Sequence, residues 1–333
     1  MKEVNTKNTE ELNFNPYLSF IITNNCNFRC RYCTPTDGGM GEGVGTKDEK
    51  VEVEDITAKI KIAEEKGITK FRLTGGEPFV FKGSIPVLQF LESNTDKDYV
   101  VSTNGSLLHR HEQELSELER VKLRVSLDSV NKENFNQISQ TKLYEQTISN
   151  IRTFANSGKI DRLSMVVTNE NFDEVIQVMD FCEDLGIGLK LLDVYQTPET
   201  KEFWRSNYTP LDKITDILAN KAFRSNESRY TKRFGIPSMD YHIGSETDSI
   251  RVRVKDSRAG TRYSSEYCSD CSIAPCQEGL YNILHATDGS ILPCRFSPTQ
   301  LPGKSLEDFR NSIEQVINIY QKSHLNCGFW RSE

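Results

Sequence analysis

No run of about 18 consecutive apolar residues occurs in this 333-residue chain, so the sequence offers no membrane-spanning helix. Residues 1–15 also lack the apolar stretch and small-residue cleavage site of a secretory signal, and a cytoplasmic location is expected. An excess of positive charge is missing too. With 41 Lys and Arg against 48 Asp and Glu, the net charge is −7, which argues against a protein that grips a long nucleic acid by its phosphates. A local basic pocket is still compatible with that total. Low-complexity tracts and short internal repeats are absent. Histidine is scarce at five residues, and none stands near the first group of cysteines. The nine cysteines are not spaced as a disulfide framework but are clustered, which suits metal ligation.

What is present is the balance of a folded protein: 36% apolar and 27% charged residues, with 17 Phe and 12 Tyr. Short apolar runs alternate with amphipathic helical patterns from Tyr17 to about Leu192. The strand candidates are Leu18–Thr23, Lys70–Leu73, Tyr99–Thr103, Lys122–Leu127, Leu163–Thr168 and Leu189–Asp193. Helical candidates include Val53–Lys66, closed by Gly67, and Asn171–Leu185, closed by Gly186. Six strands separated by helices predict an α/β fold, a partial (β/α)6 TIM-like barrel whose ligands gather at the carboxyl ends of the strands. After Asp193 the sequence turns polar and rich in Tyr and Arg. From Cys268 it reads as a small cysteine-bearing unit, with a hairpin of Tyr281–His285 and Ser290–Pro293 and a final helix from Ser305 to Tyr320. The expected division is an extension at 1–16, a barrel at 17–200, a connecting region at 201–260 and a small C-terminal domain at 261–333.

Cys26, Cys30 and Cys33 follow directly on the first strand. Three thiolates on one loop can hold three irons of a [4Fe–4S] cluster and leave the fourth iron open to a small molecule. A structural zinc site wants four closed ligands, and no histidine or fourth cysteine is near in sequence. Thr74-Gly75-Gly76-Glu77-Pro78 follows the second strand, Thr103-Asn104-Gly105 ends the third, and Ser126-Leu127-Asp128-Ser129 ends the fourth. Taken singly these are ordinary turns and helix caps. The second cysteine group is Cys268, Cys271, Cys276 and, beyond Gly289, Cys294; its four ligands suit either a second iron–sulfur cluster or one zinc. Cys327 is a further ligand or a buried small residue, and Cys182 reads as core filler.

The C-x3-C-x2-C spacing, with Tyr32 before its third cysteine, resembles the signature of the radical S-adenosylmethionine (SAM) superfamily. The second group resembles the auxiliary-cluster domains called SPASM and Twitch. Within the superfamily, the Cys-Asn-Phe-Arg-Cys core, the Lys70-x-Arg72 run and the Val-Ser-Leu-Asp-Ser segment resemble the GTP 3',8-cyclase group of molybdenum-cofactor synthesis. The resemblance implies a SAM-binding [4Fe–4S] cluster on Cys26, Cys30 and Cys33, and an auxiliary [4Fe–4S] cluster on the second group. It implies SAM contacts from Tyr32, Gly75, Gly76, Glu77, Asn104, Ser126 and Tyr195. Arg72, Thr103 and Arg162 match substrate-binding positions, and Lys70 and Lys190 are further cations suited to phosphate or carboxylate. A cyclase arginine on the first strand is replaced by Ser19, and an arginine pair after a second-group cysteine becomes Glu278 and Leu280.

The expected activity is therefore reductive cleavage of SAM to a 5′-deoxyadenosyl radical that takes a hydrogen atom from a small anionic or nucleotide-like substrate, in a cyclisation, oxidation or rearrangement step of biosynthesis. A reductant such as flavodoxin or ferredoxin is the implied partner, with no membrane partner. The alternatives are a maturase of ribosomal peptides, an authentic GTP 3',8-cyclase, and a non-enzymatic iron–sulfur or zinc protein. Only about sixteen residues precede the first strand, so a fused peptide-recognition domain is not expected there.

Overall fold

A computed structural model describes residues 16–33, 51–96, 98–196, 200–228, 238–256, 261–269, 271, 279–297 and 299–326. The first half alternates as the sequence predicts. The strands are β1 (Tyr17–Ile21), β2 (Lys70–Thr74), β3 (Tyr99–Thr103), β4 (Val121–Ser126), β5 (Ile160–Val167) and β6 (Gly188–Asp193). Between them run α1 (Val53–Glu65), α2 (Ser84–Asn94), α3 (Glu112–Glu117), α4 (Lys132–Ser139), α5 (Tyr144–Asn156) and α6 (Val175–Asp184). The six strands pair in parallel in sequence order. Gly67 and Gly186 take positive φ just past α1 and α6, where a side chain would be strained.

Residues 201–260, expected to connect, hold α7 (Lys201–Asn207), α8 (Asp212–Lys221) and three strands. These are β7 (Arg224–Ser228), β8 (Ser238–Gly244) and β9 (Ser249–Lys255). β9 pairs in parallel with β6, and β8 and β7 follow it in antiparallel fashion. A short β10 (Thr261–Tyr263) leads to the expected hairpin, β11 (Asn282–His285) and β12 (Ile291–Leu292). β11 lies parallel to β1. The parallel core is thus eight strands wide in the order β11-β1-β2-β3-β4-β5-β6-β9, within a sheet of 11 strands. The chain continues through α9 (Leu306–Gln321), capped by Ser305, and β13 (His324–Asn326), which pairs with β10.

Alternation gives the sheet two unlike faces. Leu18, Phe20, Phe71, Leu73, Val101, Leu123, Leu163 and Leu191 point to the helix side and are fully or nearly fully buried in the core. The opposite, inward face carries Ser19, Arg72, Arg124, Arg162 and Lys190, aligned by register from strand to strand. The apolar face stabilises the barrel, and the polar face lines its interior.

The hairpin is tied to the barrel through buried polar contacts. Lys59 on α1, 1% exposed, reaches Asp55 at 2.6 Å and His285 Nε2 on β11 at 3.1 Å. The His285 ring packs on Phe20 and Phe309. Burial, and next the Lys59 charge, push the His285 pKa down to about 3 from 6.5. A base whose folded pKa is depressed contributes stability above its unfolded pKa, and that contribution is lost as pH falls from 6.5 toward 3. Between pH 7.5 and pH 5 this group should cost about 2 kcal/mol. Urea unfolding at the two pH values should show that loss in the wild type and a smaller one in His285→Gln; equal losses would remove His285 as the acid-sensitive group.

Candidate active site

The cysteine loop leaves the end of β1 and is held by its neighbours through backbone contacts. Gly76 N–H donates to Thr23 O at 2.8 Å, and Glu77 N–H donates to Asn25 O at 2.8 Å. This close approach needs glycine. A Cβ on Gly75 would lie 2.4 Å from Thr23 O, and one on Gly76 would lie 2.2 Å from Asn25 O. Further along the loop, Arg29 and Arg31 donate their backbone N–H groups to Ser139 and Ile138 at the end of α4. Phe28 is buried edge-on against Phe135.

Glu77 is fully buried and sits at the centre of this junction. Its Oε1 accepts from Thr103 Oγ1 at 2.7 Å and from Phe79 N–H at 3.1 Å, and its Oε2 accepts from Asn104 N–H at 2.7 Å. Burial raises its pKa to about 7 against the lowering effect of these three donors. The SAM contact expected of Glu77 therefore meets a carboxylate engaged by three donors of the protein. Thr103, expected among the substrate contacts, is buried with its hydroxyl on Glu77 and does not join the inward cations. Asn104 does reach the cysteine loop, with Nδ2 2.9 Å from Asn27 Oδ1 and 3.8 Å from Cys26 Sγ.

Tyr32 donates its hydroxyl to Asp128 Oδ2 at 2.6 Å, and Asp128 Oδ1 accepts from Val166 N–H at 2.9 Å. Asp128, from the Ser-Leu-Asp-Ser segment, was not singled out from sequence, yet it ties the cysteine loop to the ends of β4 and β5. Burial raises its pKa to about 6. Ser126 is exposed at the end of β4.

Cys26 and Cys30 are half-buried and Cys33 is exposed. Burial pushes the Cys30 thiol well up, and the charges of Asp128, Cys33 and Cys26 add to the effect, so the three sulfurs sense one another. Among the described residues no three His, Cys, Asp or Glu side chains are drawn together closely enough to hold a metal ion as they stand. The donor chemistry nevertheless fits an iron–sulfur cluster. Three thiolates on one clamped loop repel one another, and iron offsets that repulsion.

In the second group, burial pushes the Tyr267 phenol up against the lowering hydrogen bond with Ser297, and the charges of Cys294, Cys268 and Cys271 add to the rise. Cys268 is half-buried and Cys294 buried. Cys276, Glu278 and Cys327 lie outside the described residues. Cys182 is fully buried on α6, in keeping with core filler.

Lys70, Arg72, Arg162 and Lys190 do come together on the inward face, with Arg124 as a member not singled out from sequence. Tyr17 lies among them. Its ring is 4.6 Å from the Arg72 guanidinium, 5.3 Å from that of Arg124 and 6.0 Å from Lys70 Nζ. Arg124 Nη2 also donates to the Tyr17 hydroxyl at 3.1 Å. The register shifts between β4 and β5 so that Asp161 is the extra residue, and its carboxylate meets Arg124 at 3.0 Å and Arg162 at 3.4 Å. Burial lowers Arg162 to about 9, and the buried Nε of Arg162 has no hydrogen-bond partner. Lys190 is pushed well down by burial, then by Lys255, Arg162, Arg72 and Arg124. A period-two run of cations on otherwise apolar strands, Lys122-x-Arg124 as well as Lys70-x-Arg72, was the signal for Arg124.

Tyr195, beyond β6, lines a cavity of about 130 Å³ together with Tyr32, Lys255, Tyr281, Arg295 and Phe296. Lys255, Tyr281 and Arg295 were missed from sequence because their partners come from β6, β9 and the hairpin. The strict alternation of Ser249–Lys255 was the available sign of β9.

Gly76→Ala should leave the fold intact and displace the cysteine loop. Its circular dichroism should match the wild type, while iron bound after anaerobic reconstitution should fall by about four atoms per chain, as the cluster expected on Cys26, Cys30 and Cys33 is lost. Unchanged iron would show that the loop tolerates the methyl group.

Residues 20–182 match the family model described as the radical SAM superfamily. The GTP 3',8-cyclase of Alkaliphilus oremlandii is 25% identical over 93% of this chain and 89% of its own length. That of Campylobacter fetus is 27% identical over 88% and 83%. In fold, the chain is similar to SuiB of Streptococcus suis, at a TM-score of 0.60 and 14% identity, covering 93% of this chain and 66% of SuiB. It is also similar in fold to anSMEcpe, solved with bound AdoMet, at a TM-score of 0.55 and 15% identity, covering 91% and 81%. The family implies SAM and a [4Fe–4S] cluster as cofactors. No helix among the described residues is long and apolar enough to cross a membrane. With its family match inside a parallel-stranded α/β barrel, the chain carries a radical SAM domain over residues 20–182 and is an enzyme.

Proposed function

We propose that this enzyme abstracts a hydrogen atom from a small anionic or nucleotide-like substrate held on the inward face of its barrel. The observation that carries this reading is the gathering of Arg72, Arg124 and Arg162 around Tyr17, with Lys190 within reach of their charges and Asp161 as the acid paired to two of them. Positive charges buried this closely destabilise one another, and an anionic ligand offsets that repulsion. The reading agrees with the nucleotide named for the curated relatives.

Cys26, Cys30 and Cys33 would hold the cluster, which with SAM would supply a 5′-deoxyadenosyl radical. The rest falls to the chain's own side chains. Glu77, Asn104 and Asp128 fix the cysteine loop and Tyr32 at the barrel mouth. The inward cations orient the substrate beneath them, and the flanking strands exclude water from the interior. Cys268, Cys271 and Cys294, together with Cys276, are the proposed ligands of an auxiliary [4Fe–4S] cluster, and a flavodoxin or ferredoxin the proposed reductant.

Two features favour a relative of the GTP cyclases with a different substrate. Ser19, where that group has an arginine by resemblance, is fully buried and donates to Asn282 Oδ1 at 2.6 Å. Leu280, at the other altered position, is buried and apolar. The cation-lined interior also favours a small anion over a peptide.

Anaerobically reconstituted wild type with dithionite and SAM should form 5′-deoxyadenosine, and Cys26→Ala should form none. It should also carry about eight irons per chain if both clusters assemble. Persistent 5′-deoxyadenosine in Cys26→Ala would contradict the radical reading, and about four irons in the wild type would contradict the auxiliary cluster.

A further inference from the structure

The segment between β1 and the first cysteine is gripped residue by residue. Thr23 O accepts from Gly76 N–H and Asn25 O accepts from Glu77 N–H, each at 2.8 Å, so the Gly-Gly-Glu turn holds the segment from the β2 side. Asn24, the residue between them, is held from the β11 side. Its Nδ2 donates to Thr287 Oγ1 at 2.9 Å, across 263 positions of sequence. Thr287 is 8% exposed and stands in the turn that joins β11 to β12.

That turn is itself braced. Ala286 N–H donates to Ser290 O at 2.9 Å, and Gly289 N–H donates to Ala286 O at 3.0 Å. Asp288 Oδ1 accepts from Ser290 N–H at 2.9 Å and from Ser290 Oγ at 2.7 Å. Gly289 has a φ of +87°, and a Cβ there would lie 2.9 Å from Lys304 Cα, so the chain entering α9 presses on the turn. Below the turn, β11 is fixed by its register with β1, by Ser19 on Asn282 and by Lys59 on His285. Beyond it, the buried Tyr320 donates its hydroxyl to Pro293 O at 2.6 Å, one residue before Cys294. The hairpin is thus a strut that runs from one cysteine group to the loop bearing the other.

Asn24 lies two residues before Cys26, whose Sγ meets Phe28 N–H at 3.3 Å and Asn104 Nδ2 at 3.8 Å. The start of the loop is therefore set from the hairpin, and the sulfur from β3 and the loop's own backbone. Without the Thr287 hydroxyl, the half-buried Asn24 amide loses this acceptor, a loss that costs more than the bond itself contributes.

We propose that Thr287 is a positioning residue for SAM binding: through Asn24 it sets the loop of Cys26, Cys30 and Cys33, so that the hairpin ending at Cys294 takes part in the first cysteine site. The proposal rests on the reading that this loop holds the SAM-binding cluster, and adds to it a contact from the C-terminal part of the chain.

In the test, SAM is titrated into dithionite-reduced, anaerobically reconstituted full-length enzyme, and its binding is read from the change it causes in the electron paramagnetic resonance spectrum. Thr287→Val keeps the shape and removes the hydroxyl. It should weaken SAM binding about fivefold or more, with iron per chain and thermal unfolding as in the wild type. Thr287→Ser, which keeps the hydroxyl, should return the affinity to within about twofold, a rescue that a space-filling role would not give. Should Thr287→Val not fold, Asn24→Leu removes the donor of the same contact and carries the same expectation. Cys26→Ala is the control and should show no SAM-responsive signal. If the control behaves so and Thr287→Val binds SAM like the wild type, the role of Thr287 is overturned and the reading of the loop stands. Loss of iron in Thr287→Val would make the residue structural and overturn the proposal as well. A Cys26→Ala that keeps the SAM response would overturn the reading of the loop, and the proposal with it.

Discussion

The rest of the site depends on one carboxylate. Glu77 brings three donors from two loops onto two oxygens in a setting closed to water, and so fixes the end of β3 to the end of β2. The backbone beside it, Gly75-Gly76, then lies against Thr23 and Asn25, which sets the path of the loop that carries Cys26, Cys30 and Cys33. A buried carboxylate costs desolvation energy, and three hydrogen bonds offset it. That balance explains why a motif that looks like a plain turn needs all its parts. The two glycines allow the approach, and the acid holds it.

A second constraint works in the opposite sense. The cysteine loop is held by satisfied hydrogen bonds, while the inward face collects like charges. Arg72, Arg124, Arg162, Lys190 and Lys255 lie close enough that the pKa of Lys190 is pushed down by all four others. Tyr17 eases this by offering an aromatic face and a hydroxyl to its neighbours. The apolar face of the same strands, packed on the helices, supplies the stability that tolerates such a cluster. The site is thus a clamped loop above an electrostatically loaded floor.

The alternation of apolar runs and amphipathic helices was enough to read β1 to β6 and their parallel order, because each unit is local. β9 and β11 escaped that reading for different reasons. β9 sits in a stretch that looks polar, since every second residue is Ser, Arg or Lys on the inward face. β11 was read as half of a hairpin, and its parallel pairing to β1 joins residues more than 260 apart, beyond any local signal. The cysteines and the Gly-Gly-Glu-Pro segment were legible because their chemistry is written in spacing. Asp128 and Lys255 were not, because an acid holding Tyr32 and a lysine between two tyrosines are defined by partners distant in sequence.

The claim that Glu77 holds the cysteine loop can be tested by its closest isostere. In Glu77→Gln, either orientation of the amide turns an N–H donor toward a donor already present, at Asn104 N–H or at Thr103 Oγ1 and Phe79 N–H, at a cost of about 1–3 kcal/mol. The measurement is the electron paramagnetic resonance spectrum of the dithionite-reduced enzyme with and without SAM. A folded Glu77→Gln that has lost the SAM-responsive signal is the predicted result. A signal and SAM response equal to those of the wild type would contradict the role given to Glu77.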